Sequence, residues 1–118
     1  MNAMTIDGFQ YRTLTGDGGV ELSVAVAGSG PALVLLHGFP QTHFMWRYVA
    51  HELADRHTVI VPDLRGYGSS AKPADTDSAT YSKRTMANDV VRVAAALGFA
   101  RFGVVGHDRG ALERVSQI

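Results

Sequence analysis

The sequence predicts an α/β fold, with a mostly parallel sheet in the order β-β-β-α-β-α-β and helices on both faces. Three observations predict it. Apolar runs of strand length alternate with segments whose apolar residues repeat at the 3.6-residue period of a helix. Strand–helix–strand crossovers of this kind pack helices against a parallel sheet. Segments rich in Gly, Pro, Asp and His follow the apolar runs directly, as ligand-binding loops follow the carboxyl ends of parallel strands.

Five strands are predicted, and they cover residues 9–15, 20–27, 32–36, 58–61 and 102–106. The first two form a hairpin, because residues 16–19 between them are three glycines and an aspartate, a typical turn sequence. The third and fourth strands are continuous apolar runs, which is typical of strands buried on both faces.

Two helices are predicted between the later strands. Their apolar stripes consist of Trp46, Val49, Ala50 and Leu53 in the first helix, and of Met86, Val90, Val93 and Leu97 in the second. Thr42 is the expected N-cap of the first helix, and Gly98 is placed to end the second. A third helix is expected to begin at Gly110 and to run to the end of the chain.

Composition narrows the class of function. The 118 residues carry 11 basic and 11 acidic side chains, so no basic surface for nucleic acid or membrane binding is expected. The chain contains no cysteine, which excludes disulfides and thiolate metal sites and fits a reducing cytoplasm. No apolar run approaches the roughly 20 residues of a membrane span. We therefore expect a soluble cytoplasmic protein.

The segment after the fifth strand carries the strongest chemical signal. Residues 106–110 read G-H-D-R-G, the spacing G-x-nucleophile-x-G of a tight strand-to-helix turn. Asp108 is the central residue, and an aspartate is already a carboxylate at pH 7, able to displace a leaving group from saturated carbon. Hydrolysis of the resulting alkyl ester needs two backbone N–H donors for its oxyanion, and Phe39 and Arg109 are placed to supply them. The alternative is that Asp108 only caps the following helix.

Other polar and aromatic residues near the strand ends are expected to be structural. Asp63 and Arg65 are expected to pair with the backbone or with each other and so hold their loop. Trp46 belongs to the core. Three histidines are expected at surface or cap positions, namely His43, His51 and His57. His107 points away from Asp108 on an extended backbone, so we do not assign it as a base.

Four segments resemble the α/β-hydrolases that use an aspartate nucleophile, and most closely the haloacetate (fluoroacetate) dehalogenases. They read HGFPQTHFMWR (37–47), VPDLRGYGSS (61–70), YSKRTMANDV (81–90) and VVGHDRGA (104–111). The resemblance covers residues 20–111 and implies the N-terminal portion of an α/β-hydrolase fold, without its C-terminal strands and cap domain. It implies cleavage of the carbon–halogen bond of a small 2-haloacid through an ester on Asp108. It implies an anionic small-molecule substrate and no cofactor or metal, and it leaves open whether the full-length protein is a homodimer.

Arg109 is the residue that separates this reading from its nearest alternative, an epoxide hydrolase. Related epoxide hydrolases and haloalkane dehalogenases tend to carry Trp after the nucleophile, which suits a neutral substrate. The planar fork of an arginine matches a carboxylate instead. The resemblance therefore implies that Arg109 binds the substrate carboxylate.

The sequence departs from the family in two ways. Leu112 stands where family members commonly have a second Arg, and residues 112–118 do not resemble the family. The family also carries an acidic residue and a water-activating His in later segments that the 118 residues do not contain. We therefore expect a truncated core domain that is incomplete or inactive alone. The alternatives are a non-catalytic gene fragment and a lobe completed by another chain.

Overall fold

The computed structural model describes residues 5–38, 41–74, 82–108 and 111–115, which form one six-stranded sheet with a helix on each face. The strands are β1 (Gln10–Thr15), β2 (Glu21–Ala27), β3 (Ala32–Leu36), β4 (Thr58–Pro62), β5 (Gly103–Asp108) and β6 (Ala111–Val115). The α-helices are α1 (Arg47–Leu53) and α2 (Lys83–Ala96), and short 3₁₀ helices cover Asp17–Gly19 and His43–Trp46. The predicted α/β class and the five predicted strands are confirmed.

The strand order in the sheet is β1-β2-β4-β3-β5-β6. The centre is parallel, because β3 pairs in parallel with β4 on one side and with β5 on the other. The flanking pairs β1–β2, β2–β4 and β5–β6 are antiparallel. The predicted β1–β2 hairpin is confirmed, and its connection contains Gly18 and Gly19 at φ +67° and +82°, values that favour glycine.

Local sequence explains where the helices begin and end. The Thr42 side chain accepts a hydrogen bond from the Phe44 N–H at 3.3 Å and so caps the 3₁₀ helix His43–Trp46, which leads directly into α1. The N-cap of α1 itself is Trp46, which makes no side-chain cap bond. Ser82 caps α2 by accepting from the Thr85 N–H at 3.1 Å. Gly98, two residues beyond the end of α2, has φ +96° and confirms the predicted stop.

Adjacent residues of the central strands supply the cores on the two faces of the sheet. Val34 and Ile60 pack under α2 against Val90, Val93 and Ala94. On the opposite face, Leu35, Val59 and Val61 pack under Trp46 and Ala50. Because neighbouring strand residues point to opposite faces, continuous apolar runs are needed where both faces are covered.

One stripe residue of α1 differs from the prediction. Val49 is 45% exposed, whereas Trp46 and Ala50 are buried. On a helix, Val49 lies about 60° from Trp46, at the margin of the stripe, and Ala50 lies about 40° away on the other side. The short helix α1 buries only a narrow stripe, so the margin remains in solvent.

The predicted third helix is wrong over its described residues. Ala111–Val115 form β6, which pairs antiparallel with β5 from Val104↔Val115 to Asp108↔Ala111. A helix this short is marginal without an apolar face to bury. As a strand, the same residues satisfy the N–H and C=O groups along the outer edge of β5, which a helix would leave unpaired.

No helix in the described residues is long and apolar enough to cross a membrane.

Candidate functional site

The carboxyl ends of β3 and β5 form the point where the chain topology reverses. From β3 the chain crosses by α1 to β4 on one side, and from β4 it crosses by α2 to β5 on the other side. The two helices lie on opposite faces, so a crevice is expected outside the ends of β3 and β5. The register Leu36↔Gly106 places the residues that follow β3 level with His107 and Asp108.

The structure places Asp108 at this crevice by its backbone, as the last residue of β5. Asp108 pairs with Ala111, so two residues connect β5 to β6. The expected strand-to-helix turn is therefore replaced by a strand-to-strand connection. Phe39 and Arg109 lie outside the described residues. Both were predicted to donate to the oxyanion, and Arg109 was also predicted to bind the substrate carboxylate. Their roles stay predictions.

His37 connects the loop after β3 to the loop after β4. The Leu64 N–H donates to His37 Nε2 at 2.9 Å, so the ring proton resides on Nδ1, which donates to the Gly38 carbonyl at 3.1 Å. The Tyr67 ring packs edge-on against the imidazole, with ring centroids 5.1 Å apart. Burial lowers the pKa of His37 and outweighs the opposing effects of the Gly38 carbonyl and the nearby Asp63 carboxylate.

His43 is a second buried histidine, at a position where burial was not predicted. His43 was expected at the surface or as a cap, but it is only 5% exposed. Its backbone N–H and its Nδ1–H both donate to Asp63 Oδ1, at 2.7 and 2.9 Å. Its Nε2 lies 2.7 Å from the Tyr11 hydroxyl, which accepts from the Ile6 N–H at 2.7 Å. The ring therefore bridges β1 to the loop after β4.

Asp63 is the acceptor at the centre of this network. Its Oδ2 accepts from the Ser69 N–H at 3.0 Å, and the side chain is 1% exposed. Burial raises the pKa of Asp63, but the hydrogen bonds from the His43 side chain, the His43 backbone and the Ser69 N–H together lower it below its usual value. Gly68 has φ +53°, and a Cβ at this position would collide with the Asp63 carboxylate. The Asp63 carboxylate can therefore occupy this position only because residue 68 is a glycine.

Arg65 holds the same loop from the other face. Its Nε and Nη2 donate to Asp89 of α2 at 2.8 and 2.7 Å, and Nη2 also donates to the Asp17 carbonyl at 2.9 Å. The structural roles predicted for Asp63 and Arg65 are confirmed, but the two residues pair with other partners rather than with each other. Asp89 was missed, although a carboxylate beside the apolar stripe of α2 is the kind of signal that indicates a buried ion pair.

The remaining predictions of structural roles agree with the structure. Trp46 is buried, and its Nε1 has no hydrogen-bond partner within the described part of the chain. His51 is exposed. The His57 ring lies 3.3 Å from the Leu53 carbonyl at the end of α1, which is a cap contact.

Among the described residues, no group of three His, Asp or Glu side chains is arranged to hold a metal ion.

The lowered pKa of His37 predicts a pH-dependent stability. The pKa of His37 is lower in the folded state than its unfolded value of about 6.5. Its contribution to stability is therefore fully present above about pH 6.5 and is lost as the pH falls from 6.5 through the folded pKa. We expect the urea midpoint to decrease from pH 7.5 to pH 5.5. His37→Gln keeps an acceptor for the Leu64 N–H without a titrating ring and is expected to flatten this decrease.

His51→Gln is the matched substitution at an exposed position for this experiment. If His37→Gln leaves the slope of midpoint against pH as steep as in the parent chain, His37 is not the group responsible. Protonation of Asp63 does not contribute between pH 7.5 and pH 5.5, because its lowered pKa places the associated loss of stability at a more acidic pH.

Comparison with known proteins adds the family context. A model of the alpha/beta hydrolase fold matches residues 31–113. The chain is 53% identical over 105 residues to a fluoroacetate dehalogenase from Burkholderia sp, covering 88% of this chain and 34% of that protein. It is 49% identical over 92 residues to a soluble epoxide hydrolase from Corynebacterium sp. (strain C12), covering 78% of this chain and 31% of that protein.

A solved structure extends the similarity to the backbone. A Salmonella enterica protein described as an acyltransferase superposes with a TM-score of 0.84 at 55% sequence identity, covering 92% of this chain and 36% of that one. The chain therefore spans about a third of the length of the relatives it matches. The names of these three proteins give three different activities, so the choice among them depends on the residues at the crevice.

Proposed function

Because the chain belongs to the alpha/beta hydrolase fold family, we propose that it is the nucleophile-bearing part of a haloacetate dehalogenase that cleaves the carbon–halogen bond of a small 2-haloacid. The observation that carries this proposal is the 53% identity to a fluoroacetate dehalogenase over 105 residues, a stretch that includes most of the chain. The position of Asp108 at the end of β5, beside the end of β3, supports it.

The proposed reaction has two steps, and Asp108 takes part in both. In the first, a carboxylate oxygen of Asp108 attacks the carbon that bears the halogen, and the halide leaves with the bonding electron pair. In the second, a base takes a proton from water, and the oxygen attacks the ester carbonyl carbon of Asp108. The tetrahedral oxyanion accepts hydrogen bonds from the Phe39 and Arg109 N–H groups. It collapses by breaking the bond to the alkyl oxygen, which takes the proton from the base and leaves as the hydroxyl of a 2-hydroxyacid. The new carboxylic acid then loses its proton to water, which restores the Asp108 carboxylate.

Arg109 selects the substrate in this proposal. A 2-haloacid carries a carboxylate next to the reacting carbon, and the guanidinium presents paired N–H donors that match two carboxylate oxygens. The second candidate function is epoxide hydrolysis, which is favoured by the 49% identity to a soluble epoxide hydrolase. An epoxide is neutral and gives a guanidinium beside the nucleophile no anionic partner.

A hybrid protein tests the choice between these substrates. Residues 1–111 of this chain replace the corresponding segment of the Burkholderia fluoroacetate dehalogenase, whose remaining two thirds complete the fold. In this hybrid, Arg109→Trp is expected to lower fluoroacetate turnover about 10- to 150-fold, the equivalent of one charged hydrogen bond of roughly 1.5–3 kcal/mol. Hydrolysis of a neutral epoxide is expected to fall much less.

The control is the same exchange at Arg101, an exposed position ahead of β5. Arg101→Trp is expected to leave both activities at the level of the unmodified hybrid. If the fluoroacetate rate of Arg109→Trp stays within about a factor of two of the unmodified hybrid, Arg109 does not bind the carboxylate. Epoxide hydrolysis is then the better-supported function.

A further inference from the structure

The outer side of α1 exposes two large apolar side chains next to each other. Tyr48 is 74% exposed and Val49 is 45% exposed. Within the described part of the chain, the third exposed side chain of this kind is Val91, which belongs to α2 on the opposite face of the sheet. Single exposed apolar residues are ordinary, whereas an adjacent pair beside charged groups is typical of an interaction surface.

The Arg47 guanidinium is held in place beside this surface. Its Cζ atom lies 4.6 Å from the centre of the Phe44 ring and 4.7 Å from the centre of the Tyr48 ring. Its Nη1 donates to the Phe44 carbonyl at 3.0 Å. A guanidinium has five N–H donors, and this bond uses one of them. Arg47 is therefore a pre-positioned cation with donors left for a carboxylate.

The anion that complements Arg47 lies on the same helix. Glu52 is exposed and follows Tyr48 by four residues, so the two side chains share the outer face of α1. Among the described residues, no acidic side chain pairs with Arg47 and no basic side chain pairs with Glu52. They do not pair with each other, because five positions on a helix separate two side chains by about 140° around the axis.

We propose that the outer face of α1 binds the same face of a second copy of this chain, with the two helices antiparallel about a two-fold axis. An axis between residues 49 and 50 places Arg47 of each copy level with Glu52 of the other copy. The contact then contains two ion pairs, with the Tyr48 and Val49 side chains between them. A two-fold contact requires a surface that is complementary to itself, and the opposite charges at the two ends of α1 supply this complementarity.

A second copy fits this surface better than a partner of one charge sign. A purely acidic partner would pair with Arg47 but repel Glu52, and a purely basic partner would do the reverse. Tyr and Arg are also the residue types that contribute most to binding at protein interfaces. Because Arg47 is already ordered by two rings and a hydrogen bond, pairing costs less side-chain entropy than for a free surface arginine.

The dimer is expected to be weak and reversible. The helix α1 has 7 residues, a length of about 10 Å, so its face is smaller than the roughly 800 Å² that each partner buries in a stable interface. We expect association of the 118-residue chain over concentrations of roughly 10 to 500 μM, and a lower association constant at high salt.

Sedimentation equilibrium measures the association, and exchanging the two charges tests the pairing. Glu52→Arg places an arginine opposite Arg47, and Arg47→Glu places a glutamate opposite Glu52. Each single substitution is expected to lower the association constant about ten-fold or more. The double variant restores opposite charges and is expected to return within about three-fold of the parent. Circular dichroism checks that each variant is folded, and Glu52→Arg leaves the Arg47 contacts with Phe44 and Tyr48 in place.

Tyr48→Ser tests the apolar part of the contact, and Val91→Ser is its matched control on α2. We expect Tyr48→Ser to lower the association constant about ten-fold and Val91→Ser to leave it unchanged. Arg84→Glu reverses an exposed charge on α2 and is likewise expected to have no effect.

Three results would overturn the α1 dimer. The first is a parent chain that remains monomeric at the highest concentration. The second is a double variant that associates no better than Glu52→Arg or Arg47→Glu alone. The third is an equal effect of Tyr48→Ser and Val91→Ser, which would place the contact on another surface of the chain.

Discussion

Incubation of the 118-residue chain with bromoacetate is expected to leave a carboxymethyl group on Asp108 and to release no further bromide. An aspartate with a pKa of about 3.9 is ionised at pH 7, so the first step needs no base. Hydrolysis of the ester does need one, and a positioned base contributes about 10²- to 10⁴-fold. The expected outcome is therefore a trace of stable adduct without turnover.

The structure describes the side chains of four of the five histidines and explains why these four do not supply that base. His37 and His43 are buried, and both ring nitrogens of each are engaged. His57 directly precedes β4, and the amino end of β4 lies at the edge of the sheet opposite the crevice. His51 is exposed on α1.

Intact-mass spectrometry followed by peptide mapping measures the adduct and locates it. Asp108→Asn is expected to abolish the adduct at this position. Asp55→Asn, which alters an exposed carboxylate after α1, is the matched control and is expected to leave it unchanged. The chain contains no cysteine to compete for the reagent. Release of more than one equivalent of bromide per chain, in a manner that depends on Asp108, would show that a base is present and contradict the prediction.

The second large effect concerns the buried pair Arg65–Asp89. Both side chains are nearly inaccessible, and two hydrogen bonds of 2.7 and 2.8 Å join them. Arg65→Met leaves the Asp89 carboxylate buried without its cation, and we expect a loss of about 3–5 kcal/mol in the free energy of unfolding. Since domains of this size are stable by about 5–15 kcal/mol, this is a large part of the total.

Urea unfolding followed by circular dichroism measures this loss of stability, and two further variants serve as controls. Arg92→Met removes one partner of an exposed contact with Asp17, at 3.9 Å, and is expected to cost less than about 1 kcal/mol. Arg65→Met combined with Asp89→Leu removes both charges and is expected to recover much of the loss. If Arg65→Met and Arg92→Met lower the free energy of unfolding by the same amount, burial does not increase the contribution of the Arg65–Asp89 pair to stability.

Much of the fold could be predicted from the sequence because it follows from local patterns. The apolar run Ala32–Leu36 is a strand with the predicted bounds, and the glycines at 18 and 19 mark a hairpin connection. The stripe of α2 and the stop at Gly98 also follow from residues close together in the chain. The resemblance of residues 20–111 to α/β-hydrolases was likewise carried by short segments, and the family is confirmed.

The sequence by itself therefore determined the α/β class, the hairpin, the two helices, the cap at Thr42, the stop at Gly98, and the placement of Asp108 at a strand end. Only the tertiary structure decided the partners of the buried polar groups. His43 bonds to Asp63, 20 residues away, and Arg65 to Asp89, 24 residues away. Residues 111–115 became a strand because β5 offered an unpaired edge. The physical reason is the same in each case. A buried donor or acceptor must find a partner, and that partner is brought near by the sheet and not by neighbouring sequence.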